Sequence, residues 1–391
     1  MTTPTDEKTT SFSGHQLEET TRRPRRIWGR PGLVTAYAQD MAFFDTRAKL
    51  VAVCALVAIA ALMPLQLEDD ILKLLATGFV LAIGAIGLNL VTGYAGQVSL
   101  GHAFFVGVGA VTAAVLNGDP DGRRLGYGIT FLPAWMLGAG LVAAVCGAIV
   151  APLATRLRGL YLAIVTLGLV FIGQYIFAEW REGTGGRGVG RDAAVPTLGD
   201  VDLTVNGAYT EEQKLYWLML VILVIFAVLA RNLVRSKVGR AFAAVRDRDI
   251  AAGVMGVQLG RYKLLAFTIS SFYAGVCGSL LYAADGHFSP DEFNLGMSVL
   301  FIAMILIGGA GTISGSIMGA MLLALLPRIA SELPGFFPFI SDRSTEHPNI
   351  FEVETALYGV LIIAFLLFEP RGLYGIWHRI RTYWKSFPFS Y

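Results

Sequence analysis

One feature constrains this chain above all others: apolar runs of bilayer length recur from end to end. A hydrocarbon core about 30 Å thick needs about 20 helical residues at 1.5 Å each. Runs of that order occupy residues 50–65, 71–92, 98–116, 129–151, 160–178, 215–230, 264–284 and 353–368. The stretch 297–326 exceeds one span and is interrupted by GGAGTISG, residues 308–315, so it divides in two. The expected architecture is all-α, a polytopic transmembrane helical bundle of about ten crossings. Composition agrees, since only 15% of the 391 residues are charged against about a quarter in soluble domains. Cys54, Cys146 and Cys277 all lie inside apolar runs and read as small buried hydrophobes rather than a disulfide framework.

Net charge is +2, so the distribution of charge carries more than its sum. Lys and Arg accumulate in short cytoplasmic loops. With the amino terminus inside, the segments assigned to the cytoplasm hold 22 of the 31 Lys and Arg. Both termini are therefore expected in the cytoplasm, with a tail at 1–48, a membrane domain at 49–370 and a second tail at 371–391. The first tail is too long before its first apolar run to be a secretory signal. Its cluster Arg22, Arg23, Arg25, Arg26 and Arg30 reads as a solvated positive arm or as an anchor to anionic membrane lipid.

Two loops are long. The external loop, 181–214, carries GTGGRGVG at 183–190, and the inner loop spans 231–263. Neither is a phosphate loop, because no Gly-Lys pair occurs in the chain. Within the inner loop, Ala241, Ala244, Val245, Arg248 and Ala252 recur at helical spacing, which predicts a helix over 240–252. Its small residues would admit another surface closely, and Arg246, Asp247 and Asp249 offer charge pairing. A solvated connecting helix is the alternative reading.

Polar residues inside the apolar runs are few. GLNLVTGYAGQVSLGH, residues 87–102, gathers Asn89, Gln97, Ser99 and His102 around Gly93, Gly96 and Gly101, and Gln174 stands alone in another run. Such groups are costly in lipid and face a bundle interior or an aqueous path. They serve either a solute or hydrogen bonding between helices. Gly93, Gly96 and Gly101 would allow close approach or a broken helix. Charge counting puts 93–98 at a cytoplasmic turn, unless the spans break halfway. His15, His287, His347 and His378 are not placed to complete a metal site with His102, and no catalytic constellation is present, so neither metal nor enzyme is expected. The runs hold charge only at or beside their edges, as at Lys73, Glu179 and Glu369, which disfavours an ion-coupled secondary transporter.

Residues 87–114, RLRGLYLAIVTLGL (156–169), the outer TGG (184–186), 236–257 with RYKLLAFTIS (261–270), ILIGGAGTISGSIMGA (305–320) and FEPRGLYG (368–375) occur in the order of a known family. Together they resemble the membrane permease of branched-chain amino-acid ABC importers. The resemblance implies a subunit of the bacterial inner membrane that pairs with a second homologous permease, two cytoplasmic ATPase subunits and an extracytoplasmic substrate-binding protein. This chain would bind no cofactor and no nucleic acid, and ATP would be used by its partners. The inner loop would be the coupling helix, on which Gly239, Arg240, Arg246, Asp249, Ile250, Ala251 and Ala252 match the family pattern and Asp247 lies among them. Gly253 departs from it; a helical glycine costs about 1 kcal/mol relative to alanine, so the helix is expected to end early. The substrate pathway would involve Asn89, Gly93, Tyr94, Gly96, Gln97, Ser99 and His102. Branched-chain amino acids are the family's default solutes, and related permeases carry urea, short amides or aromatic acids.

Overall fold

The computed structural model describes residues 47–119, 124–157, 159–193, 196–198, 201–202, 209–332 and 350–386. The arginine cluster of the first tail lies outside the described residues. Contacts divide the chain into two units, Met1–Val57 and Ala58–Tyr391, and the helical bundle is the second of these.

Among the described residues twelve helices carry the fold: α1 (Arg47–Leu62), α2 (Asp69–Asn89), α3 (His102–Asn117), α4 (Leu132–Arg156), α5 (Leu160–Glu179), α6 (Glu211–Arg235), α7 (Lys237–Val254), α8 (Leu259–Asp285), α9 (Leu295–Gly308), α10 (Ile313–Ser331), α11 (Ile350–Phe368) and α12 (Gly372–Ser386). A single helical turn, Arg181–Thr184, follows α5. Strand is confined among the described residues to two short pairs, Arg191–Asp192 with His287–Phe288 and Thr197–Leu198 with Val201–Asp202, both antiparallel. Six of the described helices are long and apolar enough to cross a membrane, or seven if the pair Thr355–Phe368 and Gly372–Tyr383, bent by 44°, counts as one. Val51–Leu65, His102–Asn117 and Leu295–Gly308 are shorter apolar helices. The expected second tail is thus helical from Gly372.

The bundle is built around α2 and α8, the most deeply buried of the membrane-length helices. In lipid no hydrophobic force separates one apolar face from another, so helix contacts depend on close van der Waals fit and small residues. Here the small residues are glycines. A Cβ on Gly275 of α8 would stand 2.5 Å from the Ala143 Cβ and 2.7 Å from the Ala139 carbonyl of α4. On α2, a Cβ at Gly84 would meet Phe301 of α9 and Cys277 of α8, and one at Gly87 would meet Tyr273 of α8. Between α3 and α5 the fit is reciprocal: Gly107 receives Phe177, and Gly173 receives Phe104. A larger residue at any of these points would push two helices apart.

Hydrogen bonds sort the connections into two ends. At one, which carries α7, Arg246 reaches Gly93 and the turn after α9 lies against Arg371 and Tyr374. At the other, Arg191 donates to Leu125 and Gly183, Tyr282 to Asp192, and Gln213 to Pro64.

The predicted third span differs in its first turn. Residues 98–101 are not helical, and α3 begins at His102. Ser99 and Gly101 interrupt the apolar run there, and hydroxyls from two other helices replace the missing backbone partners. Thr166 of α5 accepts from Leu100 N at 2.9 Å, and Ser298 of α9 accepts from Ala103 N at 3.0 Å. Irregular backbone is tolerated at membrane depth where protein satisfies it in this way.

Candidate functional site

The stretch 87–102 interrupts the regular helices of the bundle. α2 passes at Leu90 into one turn of π-helix, Leu90–Tyr94. The chain then turns through Gly96, whose φ of +68° is a left-handed conformation that glycine adopts without strain. It turns at the α7 end, because a Cβ on Gly96 would stand 2.7 Å from Arg246 Cγ and 3.0 Å from Arg246 Cα. From there it climbs back into the bundle. His102 meets the Gly84 carbonyl through Nε2 at 2.9 Å, ten residues up α2 from Tyr94 and so about 15 Å from the turn. The chain thus turns at Gly96, at the α7 end, and a re-entrant segment carries it back into the bundle as far as His102.

The polar side chains of this stretch are held by protein. Asn89, 1% exposed, accepts from Gly311 N at 2.8 Å and donates to Thr312 O at 2.9 Å and Ser316 Oγ at 2.8 Å, so its amide is fully engaged across to the start of α10. Gly93 is glycine because a Cβ would collide with Asn89 Oδ1 and crowd Gly311 N. Tyr94 places its hydroxyl at the Ile313 backbone. Gln97 is buried, donating to the Ala95 carbonyl from its side chain and to the Val91 carbonyl from its backbone. Ser99 accepts from Gly101 N, and the His102 ring packs edge-on against Phe301 at 4.8 Å. A solute could reach Asn89 only in a conformation that opens its three bonds.

Sequence reasoning passed over the partners. Gly311, Thr312 and Ser316 lie in GGAGTISGS, read there as a span break, and Thr166 and Ser298 are lone hydroxyls in apolar helices. Their signal was the one that singled out Gln174, an isolated polar residue in a greasy run.

α7 departs from the expected single-faced helix. Arg248 has φ −154° and ψ 93°, extended backbone that breaks the helix in two. The face drawn through Ala241, Ala244, Val245, Arg248 and Ala252 is therefore not continuous; Ala241, Phe242 and Val245 are buried before the break and Ala252 after it. Nor does the helix stop short at Gly253: it runs to Val254, with Met255 N still bonded to Ala251 O. Gly239 is pressed against the Val234 backbone, and Arg240 donates to the Arg235 carbonyl at 3.1 Å. Arg246 turns inward, with Nη1 on Gly93 O and Nε on Asp247 Oδ1, both at 3.0 Å. Asp249 is half-buried on the second segment. The outward edge of that segment is apolar: Ala251 is exposed, and Ile250, Val254 and Met255 are 73%, 83% and 84% exposed. Val254 and Met255 were missed because the helix was expected to have ended.

The opposite end is organised around buried Arg191. Arg191, 5% exposed, donates through Nη1 to Leu125 O at 2.6 Å and Gly183 O at 3.1 Å, and burial draws its pKa down. Thr184 of the TGG motif holds its hydroxyl 2.7 Å from the Phe177 and Trp180 carbonyls and accepts from Gly186 N. Among the described residues no group of three or more His, Cys, Asp or Glu could hold a metal.

Comparison with known proteins identifies the family of the chain. Residues 70–366 match the family model described as branched-chain amino acid transport system / permease component. The high-affinity branched-chain amino acid transport system permease protein LivM of Salmonella typhimurium is 30% identical over 82% of this chain and 73% of its own length, as is its Escherichia coli counterpart. The corresponding permease protein LivH of Escherichia coli is 26% identical over 76% of this chain and 92% of its own. The autoinducer 2 import system permease protein LsrC of Klebsiella pneumoniae is 30% identical over 42% of this chain and 46% of its own. No solved structure matches. The chain belongs to the branched-chain amino acid transport system permease family and is a multi-pass membrane protein.

Proposed function

We propose that this protein is the permease subunit of an ATP-driven importer in the bacterial inner membrane. It forms half of a translocation path for branched-chain amino acids delivered by an external binding protein, beside a second homologous permease and two cytoplasmic ATPase subunits. The family match over 70–366 carries the reading. Ten crossings with both termini inside fit the position of the turns after α2, α9 and α11, which lie together at the α7 end. ATPase docking is supported by the exposed apolar edge of α7, on a loop that carries eight Lys and Arg. The described membrane helices hold no Asp or Glu away from their ends, which leaves ion coupling without a carrier.

Reconstitution tests the reading. Leucine uptake into vesicles should require ATP, the ATPases and the binding protein together. Uptake by this chain alone under an ion gradient would overturn the importer assignment. A solute other than an amino acid is a second reading, favoured by the similarity to an autoinducer 2 permease. Tight binding of urea, a short amide or an aromatic acid, but no branched-chain amino acid, by the associated binding protein would select it.

A further inference from the structure

Three backbone turns converge at the α7 end: residues 94–97 after α2, 309–312 between α9 and α10, and 369–371 between α11 and α12. A helix that ends inside a bundle leaves carbonyls without intrahelical partners. After α2, Ala95 N bonds Leu90 O and Gln97 N bonds Val91 O, so the donor that would have continued the helix to Gly93 is spent elsewhere. The Gly93 carbonyl is taken instead by Arg246 Nη1 at 3.0 Å, from an element more than 150 residues away. The same guanidinium lies beside the second turn, where a Cβ on Gly311 would stand 3.3 Å from Nη1. Asn89 ties Gly311 and Thr312 back to α2. Asp247 holds Arg246 Nε and fixes the direction of the guanidinium.

We propose that Arg246 is a positioning residue, the strut by which movement of α7 is transmitted to the re-entrant segment 95–101. The inference rests on the importer reading and names the contact through which coupling would pass. Its geometry suits that task. Arg246 grips the base of a segment whose other end is His102, about 15 Å deeper along α2, so a pull at the turn reaches mid-bundle through covalent chain. Through Asn89 the pull extends to α10, and the two glycine turns move together. A charge-assisted bond to one carbonyl is strong and directional, yet can break and reform in a second arrangement. Packing of Gly96 flat on the Arg246 backbone transmits push as the hydrogen bond transmits pull.

A residue that merely caps an orphaned carbonyl would show itself differently. Losing it would lower stability and reduce every activity of the complex in proportion, whereas losing a strut changes the ratio of stimulated to basal turnover. The test uses the assembled importer in lipid, with Arg246→Met, Arg246→Lys and Gly96→Val. ATP turnover is measured with and without solute-loaded binding protein, alongside solute uptake and the thermal stability of the complex. Arg246→Met is expected to lower the stimulation ratio about tenfold, the scale of an ordinary coupling energy between sites. Arg246→Lys, which keeps a donor but not the fork, should fall between, and Gly96→Val should reproduce Arg246→Met from the other side of the contact. A stimulation ratio within about twofold of wild type in Arg246→Met overturns the strut. So does a proportional loss of basal and stimulated turnover with lowered stability in both Arg246→Met and Arg246→Lys. Absence of ATP-driven uptake by the wild-type complex overturns the importer reading itself, and the strut with it.

Discussion

Both ends of the bundle are rich in glycine turns, but they are fastened on different principles. At the end opposite α7, Gly185, Gly186, Gly188 and Gly190 all have positive φ, and the loop they form is wound around Arg191, which is almost completely buried. Arg191, Arg124, Thr184 and Tyr282 all bond backbone carbonyls there, so the loop carries its own scaffold. At the α7 end the turns are bonded within themselves, as by Thr312 Oγ1 to the Gly309 carbonyl and Gln97 to the Ala95 carbonyl, but no buried cation sits inside them among the described residues. They are joined by Asn89 from α2 and by Arg246 from α7, whose side chain is 43% exposed. A loop wound on a buried cation resists rearrangement, because any movement strands a charge. Turns joined by single contacts to a separate, partly exposed element can change partners. The first suits a fixed vestibule, and the second suits a place where motion enters.

This contrast can be broken by mutation, and the largest effect is expected at the fixed end. Arg191→Ala strands the Leu125 and Gly183 carbonyls in a buried site and should lower unfolding stability by about 3 kcal/mol. A thermal midpoint near wild type in detergent would mean that the loop does not depend on its cation. Asn89→Leu comes next, at about 2 kcal/mol, since bonds between helices in membranes are individually modest and three are lost together. An unchanged midpoint would separate the two glycine turns. The smallest effect sharpens the comparison most. Gly96→Ala and Gly188→Ala both force alanine into a left-handed conformation, costing about 1 kcal/mol each. Only Gly96 has a neighbour in the way; nothing lies within 4 Å of a Cβ at Gly188. Gly96→Ala should therefore cost about 1 kcal/mol more, and equal losses in parallel melting curves would show that the Gly96 turn does not rest on Arg246.

Much of the fold was legible because lipid imposes a simple rule: apolar runs must be helices, and their lengths can be counted. The split of 297–326 at its glycines is where α9 ends and α10 begins. What could not be read was set by tertiary partners. Residues 98–101 continue an apolar run with Ser99 and Gly101 in it, and the hydroxyls of Thr166 and Ser298, 66 and 195 residues away from their partners, help to make the non-helical path acceptable. The break at Arg248 carries no glycine or proline to announce it. Asn89 stands out in the sequence as too polar for its surroundings, yet sequence alone does not choose between solute and helix as its partner, because both would use the same amide. Arg246 was read as facing outward from a docking helix; its bond to Gly93 turns it toward the bundle. Ala252, grouped with Ala251 on the docking surface, is 5% exposed and packs inward.

That separation of Ala251 from Ala252 gives the most direct test of α7 as the element that receives the ATPases. Arginine at position 252 would disturb the packing of α7 itself, whereas Ala251→Arg places bulk and charge only on the exposed edge beside Ile250, Val254 and Met255. The measurement is ATP turnover stimulated by solute-loaded binding protein in the reconstituted complex carrying Ala251→Arg. Stimulation should be abolished while the permease still inserts and pairs with its partner permease; turnover at the wild-type rate would contradict the docking role of α7.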